Sequence, residues 1–274
     1  MSEESARPNV ARIYDYWLGG TDNFEADRQA GRAIQAVRPG IADHARENKQ
    51  FLTRAVTYLA AHGVRQFLDV GAGLPTSPAR DGEAAPLWRA THEAARAVVP
   101  GATVAYLDHD PVAVEHSRRV LATQGGAGLA GVVATGGDML EPEAILADPA
   151  VRAAGFDPAE PAGVLLACVL HFVPEPVARD VVARFHRALA PGSYLVVSIG
   201  YGQGEAGQDF TRTYNSQDGS RIYSHTLDEF AAWFDGLDLL APGLVDVTAW
   251  RPRRPEDSRA GRETMIVGGV ARKP

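Results

Sequence analysis

Short apolar runs alternate with stretches of helical spacing along most of the chain. Five runs read as strands: Gln66–Val70, Thr103–Leu107, Gly131–Thr135, Ala162–Leu170 and Ser193–Ile199. The fourth is an unbroken apolar run, as in a strand buried on both faces of a parallel sheet. Helical patterns lie between the runs, at Thr91–Val98, from Asp110 to about Gln124, and at Glu175–Leu189. A short helix over Leu227–Phe234 and two strands, about Leu244–Trp250 and Thr264–Ala271, follow. Ahead of the first strand the spacing predicts three helices. One covers Asn9–Leu18 and ends at Gly19-Gly20, a second runs from a Thr21-Asp22-Asn23 cap to about Val37, and a third spans Ile41–His62 and ends at Gly63. Strands that alternate with helices predict an α/β fold with a mostly parallel sheet of seven strands and an N-terminal helical extension. Residues 1–63 form the extension or lid, and 64–274 form the ligand-binding domain.

The first strand breaks into Gly71-Ala72-Gly73, a turn in which glycine permits backbone conformations closed to other residues and a close approach to a ligand. This is the first βα turn of a nucleotide-binding, Rossmann-like sheet. Asp69, two residues earlier, selects among cofactors. An anion there opposes a bound pyrophosphate, whereas a sulfonium cofactor with an amino group and no phosphate welcomes it. The turn therefore points to S-adenosyl-L-methionine (SAM), with S-adenosyl-L-homocysteine (SAH) as the product. An NAD(P) oxidoreductase is the rival enzyme. It is disfavoured because Gly71 to Thr76 lacks the third glycine of the dinucleotide fingerprint and the strand-2 acid lies well beyond ~20 residues downstream.

Strand 2 ends in Asp108-His109-Asp110-Pro111. Asp108 can accept from two vicinal ribose hydroxyls, while Asp110 before proline reads as a helix cap. Strand 3 leads to Asp138-Met139, an acid for an adenine amine and a side chain to pack near the base. Strand 4 leads to His171, which could deprotonate an acceptor or bond a backbone group and shape the pocket wall. Cys168, inside that strand, reads as a small buried apolar residue. The long polar loop after strand 5 is the expected acceptor region, with Tyr201, Tyr214 and Tyr223 as its candidates. Tyr14, Tyr16, Trp17, Asn23 and Phe24 form an aromatic and amide-rich segment that either packs helices together or covers the pocket.

Composition narrows the partners. The net charge of −7 over 274 residues argues against a nucleic-acid footprint. Arginines 251, 253, 254, 259 and 262 read as a solvated loop. One cysteine forbids an internal disulfide and fits a reducing cytoplasm. Residues 1–8 lack a signal-peptide core, and no apolar run reaches the ~20 residues of a membrane span. The scattered histidines have no zinc-like spacing, so no metal is expected.

The segments PNVARIYDYWLGGTDNFEADR, RQFLDVGAGLPT, THEAARAVVP, VAYLDHDPVAVEHSR, VLLACVLHFVP, LAPGSYLVVS and GLDLLAPGLVDVTAWRP resemble an actinobacterial SAM methyltransferase family long known only as a domain of unknown function. The resemblance covers nearly the whole chain and implies the class I methyltransferase fold. It implies a cofactor pocket of Asp69, Gly71, Gly73, Asp108, Asp138 and Met139. The block around Tyr14, Tyr16, Asn23 and Phe24 would close over it, together with the helix carrying Arg46 and Asn48. Ser77–Ala90 looks inserted relative to the family pattern. Strand 4 lacks the Asn/Asp-Pro-Pro-aromatic turn of nucleic-acid amino methyltransferases, and His171 stands where magnesium-dependent phenolic methyltransferases keep a carboxylate. The expected activity is methyl transfer to O or N of a small molecule. The alternative of another class is a SAM-binding sensor or partner protein that does not methylate.

Overall fold

The computed structural model describes residues 7–76, 87–125, 129–202, 211–212, 214–215, 221–259 and 265–274. Three helices open the chain: α1 (Val10–Leu18), α2 (Glu25–Val37) and α3 (Ile41–Ala61). The core follows as β1 (Gln66–Val70), α4 (Thr91–Arg96), β2 (Thr103–Asp108), α5 (Pro111–Gly125), β3 (Val132–Gly136), α6 (Pro142–Ala147) and α7 (Pro149–Ala153). It continues with β4 (Gly163–Ala167), α8 (Glu175–Ala188), β5 (Tyr194–Gly200), α9 (Leu227–Ala232), β6 (Asp238–Leu239), β7 (Val245–Asp246) and β8 (Ile266–Arg272).

The sheet order is β3-β2-β1-β4-β5-β8-β6, with β7 also on β8. Strands β1 to β5 pair in parallel, and β8 runs antiparallel between β5 and the two short pieces. The order reverses between β1 and β4, and open α/β sheets bind ligands beyond the strand ends at such a point. Both strands are buried along almost their whole length, because helices cover both faces. One face is filled by Leu68, Val164, Leu166, Val182 and Phe185 under α8, the other by Phe51, Ala55, Leu59, Phe67 and Val196 under α3. The third N-terminal helix is thus one wall of the core. Helices α1 and α2 form a separate small cluster with the start of α3 and Trp88, built from Ile13, Trp17, Leu18, Ile34 and Ala45.

Four local differences from the sequence expectation have physical causes. Helix α2 starts one residue later, at an Asp27 carboxylate that accepts from the N–H of Phe24 (2.8 Å), and Asn23 is freed from capping. The expected strand Ala162–Leu170 ends at Ala167, because Cys168 turns into the left-handed region (φ 54°) and Leu170–Phe172 form a 3₁₀ turn. The expected strand Leu244–Trp250 shrinks to Val245–Asp246, followed by a 3₁₀ turn that sinks Trp250 fully into the core. Its partner piece β6 is separated from it by Ala241-Pro242-Gly243, so the outer edge counts two short strands rather than one. Most of the 77–90 insert lies outside the described residues. Its last turn docks on α3, where Thr53 exchanges hydrogen bonds with the backbone of Arg89.

Candidate active site

The turn after β1 is held open by its glycines. Gly71 and Gly73 both have positive φ (67° and 59°), and a Cβ on Gly71 would stand 2.4 Å from Val169. The chain therefore passes close to the β4 loop without a side chain between them, and a cavity of about 540 Å³ opens beyond the two strand ends. That volume lies in the range of pockets that bury drug-sized ligands. Asp69, Gly71, Gly73, Asp108, Asp138 and Met139 line it, together with Tyr14 and Asn48.

Each acid is positioned by the strand end that carries it. Asp108 accepts from the N–H of Gly73 (2.9 Å) and the N–H of Asp110 (3.0 Å), so the acid at the end of β2 also braces the glycine turn. Burial pushes its carboxyl up, but bonds from His109 and from these N–H groups outweigh burial and hold it below the ordinary carboxylate value. It is a carboxylate at neutral pH, with lone pairs left over. Asp110 caps α5 through the N–H of Val112 (2.8 Å) and takes a bond from the Asn9 amide. Asp69 accepts from Thr91 at 2.6 Å, and its burial pushes the carboxyl up, opposed by the nearby Lys49 charge. Asp138 accepts from the N–H of Leu140 (2.9 Å) at the exposed rim.

The N-terminal segment divides by helical rotation. Tyr14 and Asp15 face the cavity. Tyr16 turns away and packs on Gly31 of α2. Asn23 donates to Asp15 (2.8 Å) and to the Gly20 carbonyl (2.9 Å), and Phe24 lies beneath the Arg12 guanidinium. The structure thus leaves Tyr16, Asn23 and Phe24 off the cavity wall, where they tie the first two helices together. Asn48 sits in a relay in which it donates to the Tyr14 hydroxyl (3.2 Å) and accepts from Ser198 of β5 (2.8 Å). Two wall residues went unread in the sequence. Lys49 lines the cavity, and among the described residues its ammonium has no ion pair or hydrogen bond. Asp15 accepts from Thr76 (2.9 Å), Asn23 and the N–H of Asp22 (3.0 Å), latching α1 to the loop after β1. Its only sequence signal is an acid amid the tyrosines of YDYW.

A second, apolar pocket of about 170 Å³ adjoins the first, and Val10, Tyr14, Cys168 and Phe172 form walls of both. Tyr201, Tyr214 and Tyr223 all line it, as does His171. The Nδ1 of His171 accepts from the N–H of Gly200 (3.3 Å), so the ring proton is on Nε2. Burial, with the nearby His225, pushes the ring down to about 4. A neutral ring with its lone pair engaged is a hydrogen-bond donor to the pocket. No group of three or more His, Cys, Asp or Glu side chains able to hold a metal is found among the described residues, and no helix is long and apolar enough to cross a membrane.

A largely parallel sheet with this strand order, a glycine turn braced by the strand-2 acid and a cavity at the reversal point is the class I methyltransferase fold. The magnesium protoporphyrin IX methyltransferase of Synechocystis PCC 6803, solved with SAH, shares the fold at 12% identity (TM-score 0.53, 96% of this chain and 93% of that one). The chain belongs to the S-adenosyl methyltransferase family, whose model matches residues 2–274. It is similar to a presumed methyltransferase of Thermobifida fusca YX (36% identity, 98% and 96% coverage, TM-score 0.84) and to a DUF574 family protein of Streptomyces avermitilis MA-4680 (34%, 99% and 99%, 0.85). No curated protein matches the chain. The cofactor is SAM, and the cavity suits it. It offers acids for hydroxyl and amino groups, a free ammonium for a carboxylate, and a turn whose bare Cα leaves room for a close approach.

Proposed function

We propose that this methyltransferase modifies an oxygen or nitrogen of a small-molecule acceptor held in the apolar pocket. The observation that carries the reading is the shared wall: an apolar pocket of about 170 Å³ lies beside the cofactor cavity at Cys168 and Phe172. A pocket of that size suits a small molecule better than a nucleic acid or protein segment. Asp108 would hold the ribose hydroxyls, Asp138 and Met139 the adenine, and Asp69 and Lys49 the amino-acid end, with Gly71 and Gly73 allowing the close approach. SAM supplies a methyl carbon already made electrophilic by its sulfonium. The remaining demand on the protein is to orient the acceptor and exclude water, which can account for much of the acceleration. Tyr201, Tyr214 and Tyr223 would contact the acceptor. The lone Cys168, whose thiol burial pushes up to about 11, suits a reducing compartment, and the cytoplasm is the proposed location.

Calorimetric titration with SAM, SAH and NAD in parallel tests the cofactor assignment, and mass-spectrometric screening of small acceptors with SAM tests the activity. Micromolar binding of both adenosyl compounds without NAD, followed by a methylated product, is the expected result. Binding of NAD alone would overturn the reading.

A further inference from the structure

Helix α3 runs along both cavities. Ile41, His44 and Ala45 line the apolar pocket, and Asn48, Lys49 and Leu52 line the cofactor cavity. The spacing of these six is helical, so they form one stripe down the helix. His44 stands one turn, ~6 Å of helix axis, from Asn48. A side chain there can reach an acceptor whose reacting atom lies at the wall the two cavities share.

The Nδ1 of His44 lies 3.0 Å from the carboxylate of Glu47, and both side chains are largely buried. A carboxylate only accepts, so the neutral ring carries its proton on Nδ1 and its lone pair on Nε2. The other oxygen of Glu47 pairs with the guanidinium of Arg259 at 2.7 Å. With one oxygen on each partner, the carboxylate is held in place and in turn orients the ring. It also faces the charge that forms when Nε2 takes up a proton. A ring with a free lone pair and a carboxylate behind it has the parts of a general base.

The second histidine of the pocket has the opposite polarity. His171 accepts at Nδ1 from the N–H of Gly200 and carries its proton on Nε2. The other titratable or charged groups of the described lining are Arg38 between α2 and α3, Tyr14 on α1, and Tyr201, Tyr214 and Tyr223 beyond β5. Burial raises the phenols of Tyr14 and Tyr214, the latter to about 12, and pushes His171 down to about 4. These three groups keep one protonation state through the neutral range.

The base narrows the acceptor. A carboxylic acid is already ionised at neutral pH and needs none. A protonated amine would bring a second positive charge up to the sulfonium. An aliphatic hydroxyl holds its proton too tightly for an imidazole to take. A phenolic hydroxyl, which ionises near ~10, lies within reach of one. The walls are rich in aromatic rings, and the pocket's 170 Å³ is close to the ~150 Å³ of an engineered cavity that takes up benzene.

We propose that His44, positioned by Glu47, is the general base of the reaction and that the acceptor is a one-ring phenol. The proposal rests on the small-molecule methyltransferase reading above. The phenol oxygen forms the new C–O bond as the methyl carbon–sulfur bond breaks, and sulfur keeps that electron pair. The phenol proton passes to Nε2 of His44. The products are a neutral methyl ether, a neutral thioether and an imidazolium beside Glu47, which then returns the proton to water.

The test compares phenol with pentafluorophenol, already an anion at neutral pH, as methyl acceptors for the full-length protein and SAM. Product is measured by mass spectrometry for the wild type, His44→Gln and Glu47→Gln. His44→Gln should lower phenol turnover by about a hundredfold or more, the usual contribution of a general base. Its pentafluorophenol turnover and SAH affinity should stay within about threefold of the wild type, because the anion needs no base. Glu47→Gln can turn the ring to its other tautomer, so it should show the same selective loss, at about tenfold or more. In the wild type the phenol rate should level off well below pH ~10, whereas free phenolate reacting alone would gain tenfold per unit up to that value. That profile decides alone should both variants fail to fold. Equal losses with both acceptors in His44→Gln would make the residue structural and overturn the proposal. So would a wild-type protein that binds SAH but leaves phenol unmethylated, or that methylates benzylamine or benzoate faster. These outcomes leave the methyltransferase reading intact, and failure of the wild type to bind SAH would instead bring down the cofactor assignment.

Discussion

The hydroxyl of Thr76 donates to the buried carboxylate of Asp15 at 2.9 Å, fastening the first helix to the loop that leaves β1. The same carboxylate takes bonds from Asn23 and the N–H of Asp22, so one side chain of α1 ties the turn before α2 to the loop after β1. Asp15→Ala would strand these donors, and leaving buried donors unpaired is costly. We expect a loss of about 2–3 kcal/mol in urea unfolding and a weaker grip on SAH. Asp15→Asn, which still has a carbonyl to accept with, should lose less. Equal stability of all three proteins would show that the latch holds nothing.

Gly71 and Val169 make a second testable pair. Gly71→Ala adds a Cβ 2.4 Å from Val169 at a residue with φ 67°. Clash and strain together should destabilise by about 2–4 kcal/mol and abolish SAH binding. Adding Val169→Ala removes the clashing methyl but not the strain, so it should restore part of the stability. A double-mutant cycle with no coupling would refute the close approach.

Lys49 separates the two ends of the cofactor. If its ammonium takes the carboxylate of the amino-acid moiety, Lys49→Met should weaken SAH by about tenfold or more and leave adenosine unaffected. Parallel titrations of the two ligands read this out directly. A parallel fall for adenosine would place Lys49 elsewhere.

His171 makes a prediction about stability and pH. Its ring is pushed from the ordinary 6.5 to about 4 in the folded protein, mainly by burial. The unfolded chain therefore takes up the proton first as pH falls, and stability drops between pH 6.5 and 4, then levels. The loss amounts to up to about 3 kcal/mol. Urea midpoints at about pH 7.5 and 5 should fall further in the wild type than in His171→Gln. Identical slopes would mean that the folded ring protonates freely.

The cofactor half of the site was legible because its residues are local to strand ends: the glycine turn, Asp108 and Asp138 each follow a recognisable apolar run. The lid was less so. Consecutive residues on a helix point about 100° apart, so Tyr14, Asp15 and Tyr16 could not share one wall, and only the fold tells which of them face the cavity. Lys49 follows Asn48 on a helix that reads as plain packing until the sheet is laid beneath it. The end of β4 left no mark either: Cys168 takes a left-handed turn within an apolar run, with no glycine or proline to announce it. The helices α6 and α7 each carry a proline at the first position, but at six and five residues they are too short to show a helical apolar period.

The wall common to the two cavities limits how such a protein can diversify. Val10, Tyr14, Cys168 and Phe172 each touch both spaces, so an inherited change there that suits a new acceptor also alters the seat of the cofactor. The far side of the apolar pocket, the proposed acceptor site, with Tyr201, Tyr214, Ile222 and Met265, carries no such double duty. New acceptor preferences among relatives are therefore expected to arise on that side, where variation leaves the methyl donor's seat untouched.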